Sequence, residues 1–374
     1  MTGPEPLQQI GRTQVRYRGR KLTYFSGCDY FRLASHPAVL KAIQTGVCRF
    51  GLNVAASRLT TGNHPIYRKL ERALAKFFGA EDALLVSSGY LTNLVVAQAL
   101  AGNFSHVLMD ERAHPSLLDA ALHFDCPVLR FKHRDTASVK HAVARCGEHA
   151  RLILLTDGVF AHDGSCAPLR DYLKVLPRDA MMLVDDAHGA GVVGKAGRGT
   201  LEETGVGRGR IIQSITLSKA FGVYGGAVLG KRALREKILA RSRLFAGSTP
   251  LPPPLANAAL KSLGILKTDR DLRKRLHANV VFVKSALSAS SPRPSPPLGE
   301  ERESPAPIIP LVVPNKRKQT ELKRRLLAAG IYPPFIKYPG GPAGGYFRFV
   351  ISNEHSREQL EELVEVLVKF SASH

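Results

Sequence analysis

The segment AMMLVDDAHGAG, residues 180–191, contains the pattern that decides the fold. An apolar run ends in two aspartates, and a histidine and glycines follow at once. Such a short run is typical of a strand that is buried on both faces of a largely parallel sheet. Asp185 would then lie at the carboxyl end of that strand, where α/β sheets bind their ligands. The segment therefore predicts an α/β sheet with a binding site at this edge.

Helix and strand patterns alternate along most of the chain from about residue 64. The apolar runs ALLVS, HVLMD, PVLRF, RLILLTD and IIQSI are separated by amphipathic segments. This alternation predicts strands joined by helical crossovers. Near residue 266 the pattern changes to a long helix, a Pro- and Ser-rich stretch, and a short series of strands and helices. We predict an N-terminal segment (1–30), a large domain (31–265) and a small α+β domain (266–374) with an exposed loop at 290–307.

Composition excludes several classes of protein. The 374 residues are 44% hydrophobic, which is enough for a large core. No stretch approaches the roughly 18 apolar residues of a membrane span, and the start lacks the apolar region of a secretory signal. The five cysteines are scattered without metal-binding spacing. We therefore expect no membrane association, no metal site and a reduced, cytoplasmic setting.

The net charge of +22 raises the question of a nucleic-acid partner. The basic residues are spread along helical patterns, as in LKTDRDLRKRL, rather than gathered in one stripe. The sequence contains no zinc-finger spacing and no aromatic RNA-binding motif. Solvated helix faces explain the charge better than nucleic-acid binding does.

Lys219 lies in the stretch TLSKAFGVYGG, residues 216–226, after the apolar run IIQSI. A lysine that bonds to a carbonyl must lose its proton part of the time, and an apolar setting without an adjacent acid favours the neutral amine. Thr216 and Ser218 are small hydroxyl donors that can reach a phosphate. Surface turns also contain such Ser-Lys pairs, so other residues must decide the role of Lys219.

Asp185 and His188 support a cofactor role. A carboxylate at the end of an apolar strand is costly without a partner. The ring nitrogen of pyridoxal 5'-phosphate (PLP) is such a partner, because an aspartate keeps it protonated and the ring can then accept electrons. His188 is placed to bind the phenolic oxygen. A metal-ligating Asp/His pair or a structural Asp cap is the alternative, and Lys219 after the next strand favours PLP.

Two further turns follow strand patterns. VSSGYLTN, residues 86–93, places Ser88, Gly89 and Tyr90 between a strand and a helix, where free N–H groups bind phosphate. DERAHPSLLDA, residues 110–120, places His114 just after a strand, where an imidazole can stack on a flat ring. Each feature is common by itself, and only their combination points to a cofactor site.

Together these motifs resemble the α-oxoamine synthases, PLP-dependent enzymes of fold type I, and most of all their 8-amino-7-oxononanoate synthase branch. The matching stretches are SRLTTGNHPIYRKLE, SSGYLTN, DERAHPSLLDA, TDGVFAHDGSCAPL, VDDAHGAGVVGKAGRGT, TLSKAFG, GSTPLPPP and RFVISNEHS. The motif VDDAHGAGVVGKAGRGT, followed downstream by TxSKxFG, is highly specific for this family. The resemblance implies an aspartate-aminotransferase-like fold, with a mostly parallel seven-stranded sheet in the large domain and a small C-terminal α+β domain.

The resemblance also implies a role for each motif residue. Lys219 matches the lysine that bonds the cofactor, and Asp185 matches the partner of the ring nitrogen. His188 matches the ligand of the phenolic oxygen, and His114 matches the histidine that stacks on the ring. These four residues form the implied catalytic set. The other implied cofactor contacts are Ser88, Gly89, Tyr90, Asp157, Thr216 and Ser218.

Two more matches concern partners of the site. Arg348, in RFVIS, matches the arginine that receives the carboxylate of the amino acid. Thr249, in GSTP, resembles the residue that reaches the phosphate from the other subunit, so the resemblance implies a homodimer with shared active sites.

The implied reaction is a decarboxylative, Claisen-type condensation. Glycine, alanine or serine would react with an acyl-CoA or acyl-carrier-protein thioester to give an α-aminoketone. A PLP-dependent aminotransferase or aldolase of the same fold is the alternative enzyme. A non-catalytic, cofactor-binding or nucleic-acid-associated protein is the other alternative, and it accounts poorly for the joint presence of Lys219, Asp185, His188 and Arg348.

The chain departs from the family pattern at positions near the implied substrate site. Ala161 replaces the usual serine, and His162 follows it. Ala55 and Ala56 stand in a segment that is usually rich in glycine. These changes leave the cofactor chemistry intact and leave the identity of the substrates open.

Overall fold

The computed structural model describes residues 5–289, 304–338 and 340–372. The chain divides into two compact units. The larger unit comprises His36–Phe160 and Cys166–Asp269, and the smaller unit comprises Met1–Ser35, Ala161–Ser165 and Arg270–His374. The N-terminal segment thus groups with the C-terminal part, which begins at Arg270 rather than at the predicted residue 266. No helix in the described ranges is long and apolar enough to cross a membrane.

The strands and helices alternate along most of the chain. The strands are β1 (Gln8–Gln9), β2 (Gln14–Tyr17), β3 (Arg20–Thr23), β4 (Asp82–Val86), β5 (His106–Asp110), β6 (Val128–Phe131), β7 (Leu152–Asp157), β8 (Met181–Asp185), β9 (Ile211–Thr216), β10 (Gly226–Gly230), β11 (Ile308–Leu311), β12 (Phe335–Ile336) and β13 (Tyr346–Val350). The α-helices are α1 (Pro37–Phe50), α2 (Pro65–Phe78), α3 (Gly89–Leu100), α4 (Pro115–Leu122), α5 (Thr136–Cys146), α6 (Leu169–Val175), α7 (Thr200–Glu203), α8 (Arg232–Arg241), α9 (Arg243–Gly247), α10 (Pro253–Thr268), α11 (Arg270–Ala289), α12 (Lys316–Ala328) and α13 (Arg357–Ala372).

A seven-stranded sheet forms the centre of the larger unit, in the order β4-β10-β9-β8-β7-β5-β6. Strand β10 is antiparallel to both of its neighbours, and the other pairs are parallel. The mostly parallel sheet predicted from the sequence is therefore confirmed. The register pairs Asp157 with Asp185, and Asp185 with Ser214. Three polar residues thus lie side by side near the carboxyl edge of the sheet, where Asp157 and Asp185 end their strands.

Both faces of this sheet are buried. Successive residues of a strand point to opposite sides of the sheet, and the side chains on each side pack into a core. Leu183 of β8 packs into a core that includes residues of α3, α4 and α8. Its neighbours Met182 and Val184 pack into a second core with residues of α5 and α6. The apolar runs of the sequence are strands covered by helices on both sides, which explains their lack of alternation.

The smaller unit contains two three-stranded antiparallel sheets, β1-β2-β3 and β11-β13-β12. Helices α11, α12 and α13 belong to the same unit. Most of the predicted exposed loop, residues 290–303, lies outside the described residues. Exposure is wrong for three residues at its end, since Ser304 is 8% exposed, Ala306 is fully buried and Pro307 is buried. Ser304 is held there because its hydroxyl donates to the carbonyl of Gly164 and its carbonyl accepts from Lys284 Nζ at 2.7 Å.

Candidate active site

Asp185 is the centre of a hydrogen-bonded cluster at the carboxyl edge of the sheet. Its side chain is almost fully buried. Oδ2 accepts from Asn93 Nδ2 at 2.7 Å and lies 3.2 Å from the hydroxyl of Ser116, while Oδ1 accepts from the N–H of Ala187 at 3.1 Å. These hydrogen bonds satisfy the buried carboxyl oxygens, which offsets the cost of burying them. The cluster therefore fixes the Asp185 side chain at the edge of the sheet.

The sequence analysis missed the residues that support Asp185. Asn93 comes from α3 and Ser116 from α4, and both are buried. Ser214, on β9, donates to Asn93 Oδ1 at 2.6 Å and so fixes the amide with its nitrogen toward Asp185. A polar residue within an apolar helix face or strand was the available signal. It is a weak signal, because such residues also serve purely structural roles.

His114 lies beside this cluster. Its backbone N–H donates to Asp157 Oδ2 at 2.8 Å, and its Nδ1 lies 2.7 Å from the hydroxyl of Ser116. Burial lowers the pKa of His114, so the ring is neutral near pH 7. Burial and the nearby Asp185 carboxylate raise the pKa of Asp157 well above its usual range. A flat, neutral imidazole at this position suits stacking on an aromatic ring.

Lys219 and His188 meet on the same edge. Lys219 lies in the turn that follows β9, and its Nζ is 2.7 Å from Nε2 of His188. Gly222 closes this turn with a positive φ of 62°, and its N–H donates to the carbonyl of Lys219 at 2.9 Å. His188 is 4% exposed, so the amine lies against a buried imidazole. The structure thus brings the two predicted residues, Lys219 and His188, into direct contact.

The predicted phosphate turn begins α3. Ser88 caps the helix by accepting from the N–H of Leu91, and Gly89 is the first helical residue. A Cβ on Gly89 would lie 2.7 Å from Thr216, so only glycine fits there. The helix N-terminus and the Thr216 hydroxyl therefore lie side by side, as an anion site requires. The phenol of Tyr90 is hydrogen-bonded to Asp119, so only its backbone is available to such an anion.

The remaining predicted residues lie in different surroundings. Ser218 and Thr249 are exposed in the single chain. Arg348, on β13 of the smaller unit, donates from Nη1 to the carbonyl of Ala161 at 3.0 Å. Its guanidinium carbon lies 5.1 Å from the centre of the Tyr338 ring. The backbone carbonyl and the ring fix the guanidinium in place. The arginine thus contacts the position at which the chain departs from the family pattern.

The residues of the larger unit fit PLP. Asp185 would offer its carboxyl group to the ring nitrogen, and Lys219 would offer an amine to the carbonyl. The missing side chain of Gly89 lets the start of α3 lie against Thr216, where N–H groups and a hydroxyl would suit a phosphate.

Comparisons with known proteins agree with this geometry. The profile of a family described as aminotransferase class I and II matches residues 26–367. The chain is 38% identical to the 8-amino-7-oxononanoate synthase of Methylococcus capsulatus, over 95% of this chain and 90% of that protein. It is 37% identical to the enzyme of the same name from Nitrosococcus oceani, over 95% and 93% of the two chains.

Solved structures show the same similarity. Serine palmitoyltransferase from S. paucimobilis, solved with PLP and myriocin bound, superposes with a TM-score of 0.89 at 26% identity, over 98% of this chain and 91% of that one. The 8-amino-7-oxononanoate synthase of Francisella tularensis superposes with a TM-score of 0.80 at 25% identity, over 94% and 98%.

Proposed function

Because the chain belongs to the aminotransferase class I and II family, and within it to the α-oxoamine synthases, we propose that the cluster around Lys219 and Asp185 is its catalytic site. The family, the fold type and the PLP cofactor predicted from the sequence are confirmed. The chain is a PLP-dependent acyltransferase that resembles 8-amino-7-oxononanoate synthase. The roles of single residues and the identity of the substrates are the proposal.

The observation that carries the proposal is the 2.7 Å contact between Lys219 Nζ and His188 Nε2 beside the Asp185 cluster. When bound, PLP supplies an electron sink for the carbanion that forms at the α-carbon of the amino acid. Lys219 would hold the carbonyl carbon of PLP, and its amine, once free, would accept the α-proton. Asp185 would hold the proton of the ring nitrogen, and His188 would bind the phenolic oxygen.

Other residues orient the cofactor. His114, neutral because of burial, would stack on one face of the ring. Ser88, Gly89 and the backbone of Tyr90, at the N-terminus of α3, would hold the phosphate together with the hydroxyls of Thr216 and Ser218. Asp157 holds the backbone of His114 and thus the stacking ring. Alignment of the reacting bonds by such contacts accounts for much of the rate enhancement in enzymes.

Arg348 receives the carboxylate of the amino acid. One of its donors is occupied by the carbonyl of Ala161, and a guanidinium has further donors for two parallel bonds to a carboxylate. We propose glycine, alanine or serine as the amino acid, and an acyl-CoA or acyl-carrier-protein thioester as the second substrate. Attack on the thioester releases the thiol, and loss of carbon dioxide gives the α-aminoketone.

The assembly and setting complete the proposal. We propose a homodimer in which Thr249 binds the phosphate in the partner's site, and its exposure in the single chain is compatible with this role. We also propose a reducing, cytoplasmic setting. All five cysteines are described, and none of them forms a disulfide in this chain.

Reductive trapping tests the assignment of Lys219. The holoenzyme is treated with borohydride and digested, and the PLP-modified peptide is identified by mass spectrometry. The proposal predicts modification of Lys219 alone. Lys219→Ala should lose both the modified peptide and the visible absorption band, whereas Lys174→Ala, at an exposed lysine, should keep both. Modification of another lysine in the wild type would refute the assignment.

Titration with amino acids tests Arg348. The visible band of the holoenzyme should change on addition of glycine, alanine or serine. Arg348→Lys keeps the charge but loses the bidentate geometry. The amino-acid concentration that gives half of the spectral change should therefore rise about tenfold. An unchanged titration curve would place the carboxylate elsewhere.

A further inference from the structure

The hydroxyl of Ser116 links two residues of the proposed cofactor site. Its Oγ lies 2.7 Å from His114 Nδ1 and 3.2 Å from Asp185 Oδ2. It also lies 3.0 Å from Asn93 Nδ2. The Ser116 side chain is 1% exposed, so water does not compete for these contacts. The direction of each hydrogen bond follows from the donors available.

A hydroxyl has one proton and two lone pairs. The amide nitrogen of Asn93 can only donate, so Ser116 Oγ accepts from it. The backbone N–H of Ser116 donates to His114 Nδ1 at 3.2 Å, so Nδ1 carries a lone pair rather than a hydrogen. The single proton of Ser116 must therefore go either to His114 Nδ1 or to Asp185 Oδ2.

Distance decides between the two acceptors. A contact of 2.7 Å is ideal for a hydroxyl donor, and one of 3.2 Å lies beyond the usual range for such a bond. Asp185 Oδ2 already accepts from Asn93 at 2.7 Å. Asn93 therefore donates to Asp185, and the hydroxyl of Ser116 donates to His114.

We propose that Ser116 is a positioning residue whose hydroxyl proton is directed to Nδ1 of His114 and which, together with its own backbone N–H, holds that imidazole in the tautomer with its hydrogen on Nε2. The inference rests on the proposed function, because the benefit of a fixed His114 is a neutral ring held against the PLP ring. It goes further in assigning the device that sets the tautomer.

Nitrogen-15 NMR of the full chain, labelled at histidine, tests this assignment with and without PLP. The His114 signals are identified by their loss in His114→Asn. In the wild type we expect an unprotonated Nδ1 and a protonated Nε2 at pH 7 to 8. In Ser116→Ala the backbone N–H still donates to Nδ1, so this tautomer should persist, but the Nδ1 signal should shift because Nδ1 loses its hydroxyl donor. The dissociation constant of PLP should rise about tenfold, because a buried hydrogen bond is lost. Ser116→Thr should restore both properties.

Ser262→Ala is the matched control. Ser262 is also fully buried, and its hydroxyl has no hydrogen-bond partner in the described part of the chain. This variant should keep the wild-type His114 signals and PLP affinity. A hydrogen on Nδ1 in the wild type, or unchanged His114 signals in Ser116→Ala, would overturn the inference. The wild-type tautomer is decisive even if Ser116→Ala fails to fold, and a wild type that binds no PLP would instead refute the proposed function.

Discussion

Asp186, the second aspartate of the opening motif, faces away from the Asp185 cluster and anchors the glycine-rich loop that follows. Its carboxylate accepts from the N–H and hydroxyl of Thr200 at 2.9 and 2.6 Å, and from Gln213 Nε2 at 2.6 Å. A Cβ on Gly189 would come within 2.1 Å of this carboxylate. The two adjacent aspartates therefore have different roles. Asp185 belongs to the proposed cofactor site, and Asp186 anchors the loop that includes His188.

Substitution of Gly158 tests the close packing around Asp186. A Cβ there would lie 2.5 Å from both Asp186 Oδ1 and Thr200 Oγ1. We expect Gly158→Ala to lower the free energy of unfolding by about 1–3 kcal/mol, because the core must shift. Gly207→Ala, where a Cβ meets nothing within 4 Å, should change it by less than about 0.5 kcal/mol. Urea unfolding followed by circular dichroism measures both, and equal effects would contradict the account.

His355 gives the smaller unit a dependence on pH. Burial lowers its pKa from 6.5 to about 3, with a further contribution from Arg32. Its Nδ1 accepts from the N–H of Ser352 at 2.9 Å, and its ring stacks on Phe25 at 4.3 Å. The neutral ring is thus the folded form. Above about pH 6.5 the imidazole of His355 is neutral in both the folded and the unfolded chain, so it does not change the free energy of unfolding. Below that value the unfolded chain gains a proton that the folded chain does not bind.

Stability should therefore fall as the pH drops from 6.5 toward 3. Between pH 6.5 and pH 4.5 the wild type should lose about 2 kcal/mol more than His355→Asn, which cannot titrate. Asparagine can still accept from Ser352, so the variant keeps part of the local structure. Urea unfolding at the two pH values measures the difference. Parallel losses in the two proteins would show that another group controls the response to acid.

At the scale of the element, buried charges join α2, β4 and α8. Glu71 of α2 is fully buried and contacts Arg58 Nη1 and, at 3.0 Å, Arg235 Nη1 of α8. Its Oε1 also accepts from the N–H of Leu85 on β4 at 3.0 Å. Arg68 Nη1 also lies 3.4 Å from its Oε2, so one carboxylate contacts three arginines and a strand. Loss of its charge would leave a buried guanidinium without compensation.

Glu71→Gln should lower the free energy of unfolding by about 3–5 kcal/mol, because breaking a buried pair strands the remaining charge. The exposed pair Arg357–Glu361 is the comparison, with side chains that are 60% and 55% exposed. Glu361→Gln should cost no more than about 0.5 kcal/mol. Chemical denaturation distinguishes these values, and a small effect at Glu71 would mean that the network relaxes around the substitution.

The elements of the larger unit were predictable from the sequence, whereas the support of the site was not. The apolar runs predicted strands that are buried on both faces. Asp185 ends one of these strands and Lys219 follows another, at the predicted carboxyl edge of the sheet. Asn93 and Ser116 escaped prediction because their roles depend on how α3 and α4 pack, a contact between distant parts of the chain. The burial of Ser304 was not predicted either, because it also depends on contacts with distant parts of the chain. A Pro- and Ser-rich composition is typical of exposed loops.

At the scale of the whole molecule, the proposed homodimer makes each site depend on two chains. A dimer of Lys219→Ala chains should lack activity. A dimer of Thr249→Glu chains should bind PLP weakly, because a carboxylate would face the phosphate. In a mixed dimer, one site would combine Lys219 from one chain with Thr249 from the other and contain no substitution.

Mixing the two inactive variants after reversible dissociation should therefore restore activity, up to about one site in each mixed dimer. Enzyme assay of the mixture, with each variant alone as control, measures the recovery. Absence of recovery in a sample in which mixed dimers are demonstrated by mass would place Thr249 in the site of its own chain.

The reaction itself is tested most directly by the fate of the substrate carboxyl group. The holoenzyme is given alanine labelled with ¹³C in the carboxyl group and a series of acyl-CoA thioesters, with glycine and serine in parallel. Our account predicts that labelled carbon dioxide and free thiol appear in equal amounts, together with an α-aminoketone, and that Lys219→Ala produces none of them. A labelled keto acid formed without carbon dioxide or thiol would identify an aminotransferase and contradict the account.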